Sequence, residues 1–107
     1  MSANYCEGWI LEDNKWWFVE DGYSCVCDDW KKIGDEWCYF DKDGWLVQSK
    51  WIETNGKHYY VNKNGYMVKN RYVKSQDKNI WYYINHDGIW ITSRDVRTKP
   101  SDNMIAI

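Results

Sequence analysis

Trp9 and Trp16, Trp30 and Trp37, and Trp51 and His58 are pairs of ring side chains, each pair seven residues apart. The face of an indole is electron-rich and attracts a cation laid over it. A quaternary ammonium profits most, because hydrogen bonds cannot hold it. Two such rings on one element and a third on its neighbour would make a cage for that group. The same rings would also serve as packing between elements, and ring content by itself favours that commoner use. The elements that carry the rings have to decide.

Composition narrows those elements. The chain of 107 residues has 9 Trp, 9 Tyr and only 2 Phe, with Leu confined to Leu11 and Leu46. Mean hydropathy is −0.80, because Trp and Tyr pair an apolar body with a polar tip and suit half-wet positions. Two leucines argue against a conventional helical core, and the length predicts one domain with a modest core. A net charge of −2 with scattered lysines leaves no footprint for nucleic acid. No apolar run approaches the ~20 residues of a membrane span. The opening "MSANYCEGWILEDNK" lacks the basic start and apolar run of a signal peptide.

The sequence repeats. Trp9, Trp30, Trp51 and Tyr72 lie 21 residues apart, and glycines recur at Gly22, Gly44, Gly65 and Gly88. Each glycine closes an aromatic cluster and a polar turn: "WWFVEDG", "WCYFDKDG", "HYYVNKNG" and "WYYINHDG". Four units result, 9–29, 30–50, 51–71 and 72–94, between a lead-in of 1–8 and a tail of 95–107. Within a unit, a short turn such as Asn55–Gly56 or Gly34–Asp35 joins two runs rich in Trp, Tyr, Val and Ile, as in a β-hairpin. No useful stretch has helical spacing. The predicted class is all-β, a β-hairpin solenoid in which each hairpin covers the next.

Strand alternation then sorts the rings. A two-residue turn at Asn55–Gly56 puts Trp51, His58 and Tyr60 on one face and Ile52 and Tyr59 on the other. Trp30, Trp37 and Tyr39 share a face in the second unit, with Cys38 opposite. A groove between successive hairpins would receive two rings from one unit and a third from the next.

At this point the units "EGWILEDNKWWFVEDG", "KWIETNGKHYYVNKNGYM" and "NIWYYINHDG" resemble the cell-wall-binding repeat of choline-binding proteins. That family often forms the C-terminal anchors of bacteriophage endolysins and pneumococcal autolysins. The resemblance implies cages for choline on teichoic acid, built from the first Trp, the Trp of the cluster and a Tyr of the next repeat. Carried over, one groove has Trp30, Trp37 and Tyr59. The next has Trp51, His58 and Tyr82, with His where Trp is usual and Met67 at a methionine position that often lines such sites. The first groove has Trp9 and Trp16 but Cys38 in place of the third ring. Tyr72 and Trp81 await a partner from the tail. The resemblance further implies action at the bacterial wall, and a tail that caps the last hairpin or contributes to dimerisation. Related glucan-binding repeats make sugar stacking the second reading, and a ligand-free structural stack the third.

Other chemistry is thin. Cys6, Cys25, Cys27 and Cys38 fit neither a common disulfide framework nor a structural zinc spacing. Reduced thiols are expected, with Cys25 and Cys27 as small fillers. Carboxylates recur in every turn, where they make Asx-type turns, and the two histidines sit at different places in their units. No catalytic set, cofactor or metal site is implied.

Overall fold

The computed structural model describes residues 8–20 and 24–106. Most of the lead-in, the turn at Gly22 and the terminal Ile107 lie outside the described residues. Nine strands run in chain order: β1 (Gly8–Glu12), β2 (Lys15–Glu20), β3 (Ser24–Cys25), β4 (Asp29–Ile33), β5 (Glu36–Phe40), β6 (Lys50–Thr54), β7 (Lys57–Val61), β8 (Arg71–Lys74) and β9 (Trp81–Ile84). Helix is limited to two 3-10 turns in the described residues, Thr92–Arg94 and Asp102–Met104. The fold is all-β, as the 21-residue period predicts.

Each repeat is one antiparallel hairpin, β1–β2, β4–β5, β6–β7 and β8–β9, with β3 added beside β2. Turn chemistry sets the registers. Asp13 and Asn14, and likewise Asn55 and Gly56, hold positive φ at both turn positions, the type I′ geometry that matches strand twist. Trp51 therefore faces Tyr60, and Glu53 faces His58, on the face that alternation predicts. The fourth hairpin differs. Six residues, Ser75 to Ile80, join its strands, and the Ser75 hydroxyl accepts the amide of Lys78 and donates to Asp77.

One ring pair recurs across every hairpin. Trp9–Phe18, Trp30–Tyr39, Trp51–Tyr60 and Tyr72–Tyr83 are direct cross-strand partners with centroids 5.1 to 5.2 Å apart. Pairs of this kind contribute roughly 0.5–1.5 kcal/mol beyond area burial. The period of 21 is thus the repeat of one cross-strand contact.

A second repeated device ends each later hairpin. Asp41, Asn62 and Asn85 each use a side-chain oxygen to accept two backbone amides, two and four residues on, at 2.9–3.0 Å. The chain then returns antiparallel, bridging Phe40 to Leu46, Val61 to Met67 and Ile84 to Trp90. Gly88 completes the last of these turns with φ +83°, and a Cβ there would lie 2.4 Å from the Met67 sulfur. Glycine meets both demands without backbone strain or a shift of the Met67 side chain.

Contacts divide the chain into two compact units, Met1–Val47 and Gln48–Ile107, where length alone predicts one domain. Repeat contacts are local, so each pair of hairpins closes its own core. In the first unit Val26, Cys38 and Phe40 are buried, with Phe18, Ile33 and Leu46 against them. In the second, Val68, Val73 and Ile84 are buried beneath Tyr60, Trp90 and Ala106. Cys25 and Cys27 are not fillers. Both are exposed, and Val26 between them enters the core.

Candidate functional site

A cluster of four rings lies in the second unit, between its two hairpins. β6 supplies Trp51, β7 supplies His58, β9 supplies Tyr82, and the return after Gly88 supplies Trp90. Trp51 is centred 5.7 Å from Tyr82 and 5.5 Å from Trp90, and Tyr82 is 5.0 Å from Trp90. His58 meets Trp90 edge to face at 5.7 Å. The amide of Trp90 donates to the His58 carbonyl at 2.9 Å, so a backbone bond fixes the fourth ring beside the second. The indole Nε1–H of Trp90 donates to Asp95 at 2.8 Å, and that carboxylate also accepts the Tyr83 amide.

These spacings and tilts are those of packed aromatic pairs, so the rings hold the two hairpins together as well as framing a groove. Trp51 remains 37% exposed, so part of its ring surface is in contact with solvent. Chemically the groove offers ring faces, one imidazole and a nearby carboxylate. It suits a cation too weakly hydrated to insist on water, and it offers no nucleophile paired with a base.

Of the trio that the repeat pattern names, Trp51 meets Tyr82 directly, and His58 reaches the cluster through Trp90. Trp90 and Asp95 escaped the sequence reading. A signal for Trp90 existed: it follows Gly88 by two residues, as Met67 follows Gly65 and Leu46 follows Gly44. Met67 pairs with Val61 and lies against Gly88. The position that Met67 holds in its own repeat is held beside Trp51 and His58 by Trp90.

In the first unit the corresponding groove is built differently. Trp9 stands 6.1 Å from Trp16, nearly perpendicular, and tilts 35° onto Phe40 at 5.8 Å. Cys38 is fully buried, and its thiol is pushed up to about 11, by burial first and by Glu36 second. Leu46 donates its amide to the Trp16 carbonyl at 2.7 Å, the counterpart of the Trp90 bond. Lys15 places its ammonium 5.3 Å from the Trp45 ring.

The other named rings fall elsewhere. Trp30 and Trp37 belong to β4 and β5 of the first unit, while Tyr59 stands on β7 of the second, opposite Ile52. Tyr72 pairs with Tyr83 and accepts the Ala106 amide at 2.8 Å through its carbonyl. Trp81 is buried, exchanges two backbone bonds with Val96 and carries Lys74 at 5.6 Å from its ring. Arg94 lies 4.2 Å over Tyr83. Val96 and Ala106 of the tail thus bond to the strands of the last hairpin, and Lys74 and Arg94 lie against two of its rings.

Residues 28–44, 49–67 and 70–89, just over half of the chain, match the cell wall binding repeat of choline-binding proteins. The hairpin of β1 and β2 lies outside those stretches. Among solved structures, the pneumococcal cell wall endolysin of phage Cp-1 complexed with choline is 30% identical over 85% of this chain and 27% of that one, with a TM-score of 0.70. The modular Cpl-1 endolysin complexed with a peptidoglycan analogue is 33% identical over 79% of this chain and 24% of its own, also at 0.70. The choline binding domain of Spr1274 from Streptococcus pneumoniae is 29% identical over 84% of this chain and 99% of that one, at 0.67. This chain spans about a quarter of the length of the two endolysins. No curated protein matches it by sequence.

Proposed function

Because the chain belongs to the choline-binding cell wall repeat family, we propose that it is a non-catalytic module that seats choline groups of teichoic acid in aromatic grooves and so holds a lytic enzyme on the bacterial wall. The observation that carries this reading is the four-ring groove of Trp51, His58, Tyr82 and Trp90, whose walls come from two matched repeats or, for Trp90, from the residue just beyond them. Choline spreads its charge over methyl groups and accepts ring faces in place of water. Each such wall is worth roughly 0.5–2 kcal/mol. One groove is therefore a weak site. Several grooves meeting a polymer that carries many choline groups raise the overall affinity by about 10²–10⁴ through effective concentration.

The test is retention on a tertiary-amine resin, followed by elution with free choline at constant ionic strength. Elution by choline supports the reading. Release by salt alone, with no effect of choline, overturns it, and retention on dextran would then point to sugar stacking.

A further inference from the structure

A second feature of the Gln48–Ile107 unit faces away from ring chemistry. A cleft of about 380 Å³ opens beside the turn that follows β7. Its polar rim is Asn62, Lys63, Asn64, Lys69 and Arg71, and no Asp or Glu lines it. Among the described residues, none of the three cations has a carboxylate partner. The floor is apolar, from Val68, Ile105 and Ala106. One guanidinium N–H of Arg71 is anchored on the Asn70 carbonyl at 3.0 Å. Asn62 spends its side-chain oxygen on the amides of Asn64 and Tyr66, which turns its NH₂ into the group left to meet a ligand. Every polar side chain on this rim is able to donate.

The repeats provide an internal control. The same Asx turn is built by Asp41 in the second repeat and by Asn85 in the fourth, with the same two amide bonds. Either side chain meets the demand of the fold, so the choice between them is left to another pressure. Residues 41–50 balance Asp41 and Asp43 against Lys42 and Lys50, and residues 85–94 balance Asp87 against Arg94. Residues 62–71 carry Lys63, Lys69 and Arg71 with no acid, a local charge of +3 in a chain of net −2. The positions of Asp41 and Asp43 in the second repeat are held here by the amides Asn62 and Asn64, at a turn that borders the cleft.

We propose that this cleft is an anion site that binds the phosphodiester backbone of the polymer whose choline groups occupy the ring grooves. The inference rests on the choline reading for the identity of the polymer. A phosphodiester fits because its negative charge recurs along the backbone, apart from the choline cations: the basic side chains take the oxyanion, and the apolar floor takes the linking unit.

The full chain is compared with Asn62→Asp/Asn64→Asp, which restores the acids of the sister turn without removing the turn's acceptor. Three probes are titrated at low salt: free choline, a choline-free poly(glycerol phosphate), and polyglutamate. The proposal expects the parent chain to bind the phosphodiester polymer, the variant to bind it at least tenfold more weakly, and free choline to bind both alike. The salt dependence of polymer binding should also flatten in the variant. Failure of the parent to bind the choline-free polymer overturns the proposal, whatever choline does. Equal loss of choline and polymer overturns it too, since the cleft would then be no separate site. Polyglutamate binding as tightly as the phosphodiester removes the claim to phosphate. Loss of choline binding in the parent chain, with polymer binding intact, would instead sink the choline reading and leave the anion site standing.

Discussion

The grooves of the two units share a backbone and differ in their walls. Trp9 and Trp51 hold one corner, Trp16 and His58 the second, Cys38 and Tyr82 the third, and Leu46 and Trp90 the fourth. The fastening bond is the same in both, from Leu46 to the Trp16 carbonyl and from Trp90 to the His58 carbonyl, at 2.7 and 2.9 Å. In the first unit the third and fourth corners have been given to the core: Cys38 is buried, Leu46 packs against the core cluster, and Trp9 leans on Phe40. In the second they are rings. Hairpin registers and cross-strand pairs therefore carry the fold, while these corners are free to become either core or site.

The largest effect should come from the corner common to both. Trp51 touches Tyr60, Tyr82 and Trp90. Trp51→Ala should weaken choline binding about tenfold or more, from one or two lost cation–π contacts. It should also cost roughly 2 kcal/mol of stability, below the 3–5 of a fully buried Trp because the ring is 37% exposed. Trp9→Ala should cost similar stability but less binding. Calorimetric choline titration beside denaturant melts separates the two, and equal binding losses would erase the difference between the grooves.

A smaller effect should follow from exchanging the fourth corners. Trp90→Leu copies the first groove into the second and should lower choline affinity about three- to tenfold, with Asp95 losing its indole partner. Leu46→Trp should move the first groove the other way at a cost of roughly 1–3 kcal/mol, because Leu46 packs against a filled core. A Trp90→Leu chain with unchanged affinity would show that the fourth ring is packing alone.

The buried third corner makes a pH prediction. The Cys38 thiol lies at about 11 in the folded chain against 9.0 for the free group, so folding favours its protonated form. That contribution is complete below pH 9 and is lost as pH rises through about 11. At ~1.4 kcal/mol per unit it amounts to about 2–3 kcal/mol. Tyr39 and Tyr60 are raised as well, chiefly by burial, and add loss in the same direction above pH 10. Melting temperature followed from pH 8 to 11.5 should fall less steeply in Cys38→Ala, after allowing for its cavity. An identical slope in that variant would show that the thiol does not titrate with folding.

Much of this comparison was legible in the residues. A two-residue turn fixes the register, and the register fixes which rings share a face, so Trp51, Tyr60 and His58 were placed by counting. Trp90 was overlooked because the first two residues to fill its position, Leu46 and Met67, are not rings. The Ser75–Ile80 turn has no glycine to announce it and is held by the Ser75 hydroxyl instead. Asp95 lies past the end of the repeat, where no period points to it. The roles of Cys25 and Cys27 went astray because alternation puts Val26, not its neighbours, into the core.

The smallest effect concerns the second corner, where Trp16 stands in one groove and His58 in the other. An indole face is a larger and more electron-rich surface for a cation than an imidazole, so the two corners should not hold an ammonium equally. His58 meets Trp90 edge to face at 5.7 Å, and Glu53 lies directly across the hairpin. His58→Trp should therefore tighten choline binding about twofold to threefold, near the lower end of one cation–π contact, because the larger ring must still share the corner with Trp90. Calorimetric titration of choline on the parent chain and on the variant decides it. If the tryptophan gains nothing, His58 lies outside the ligand's reach and the groove is closed by Trp51, Tyr82 and Trp90 alone.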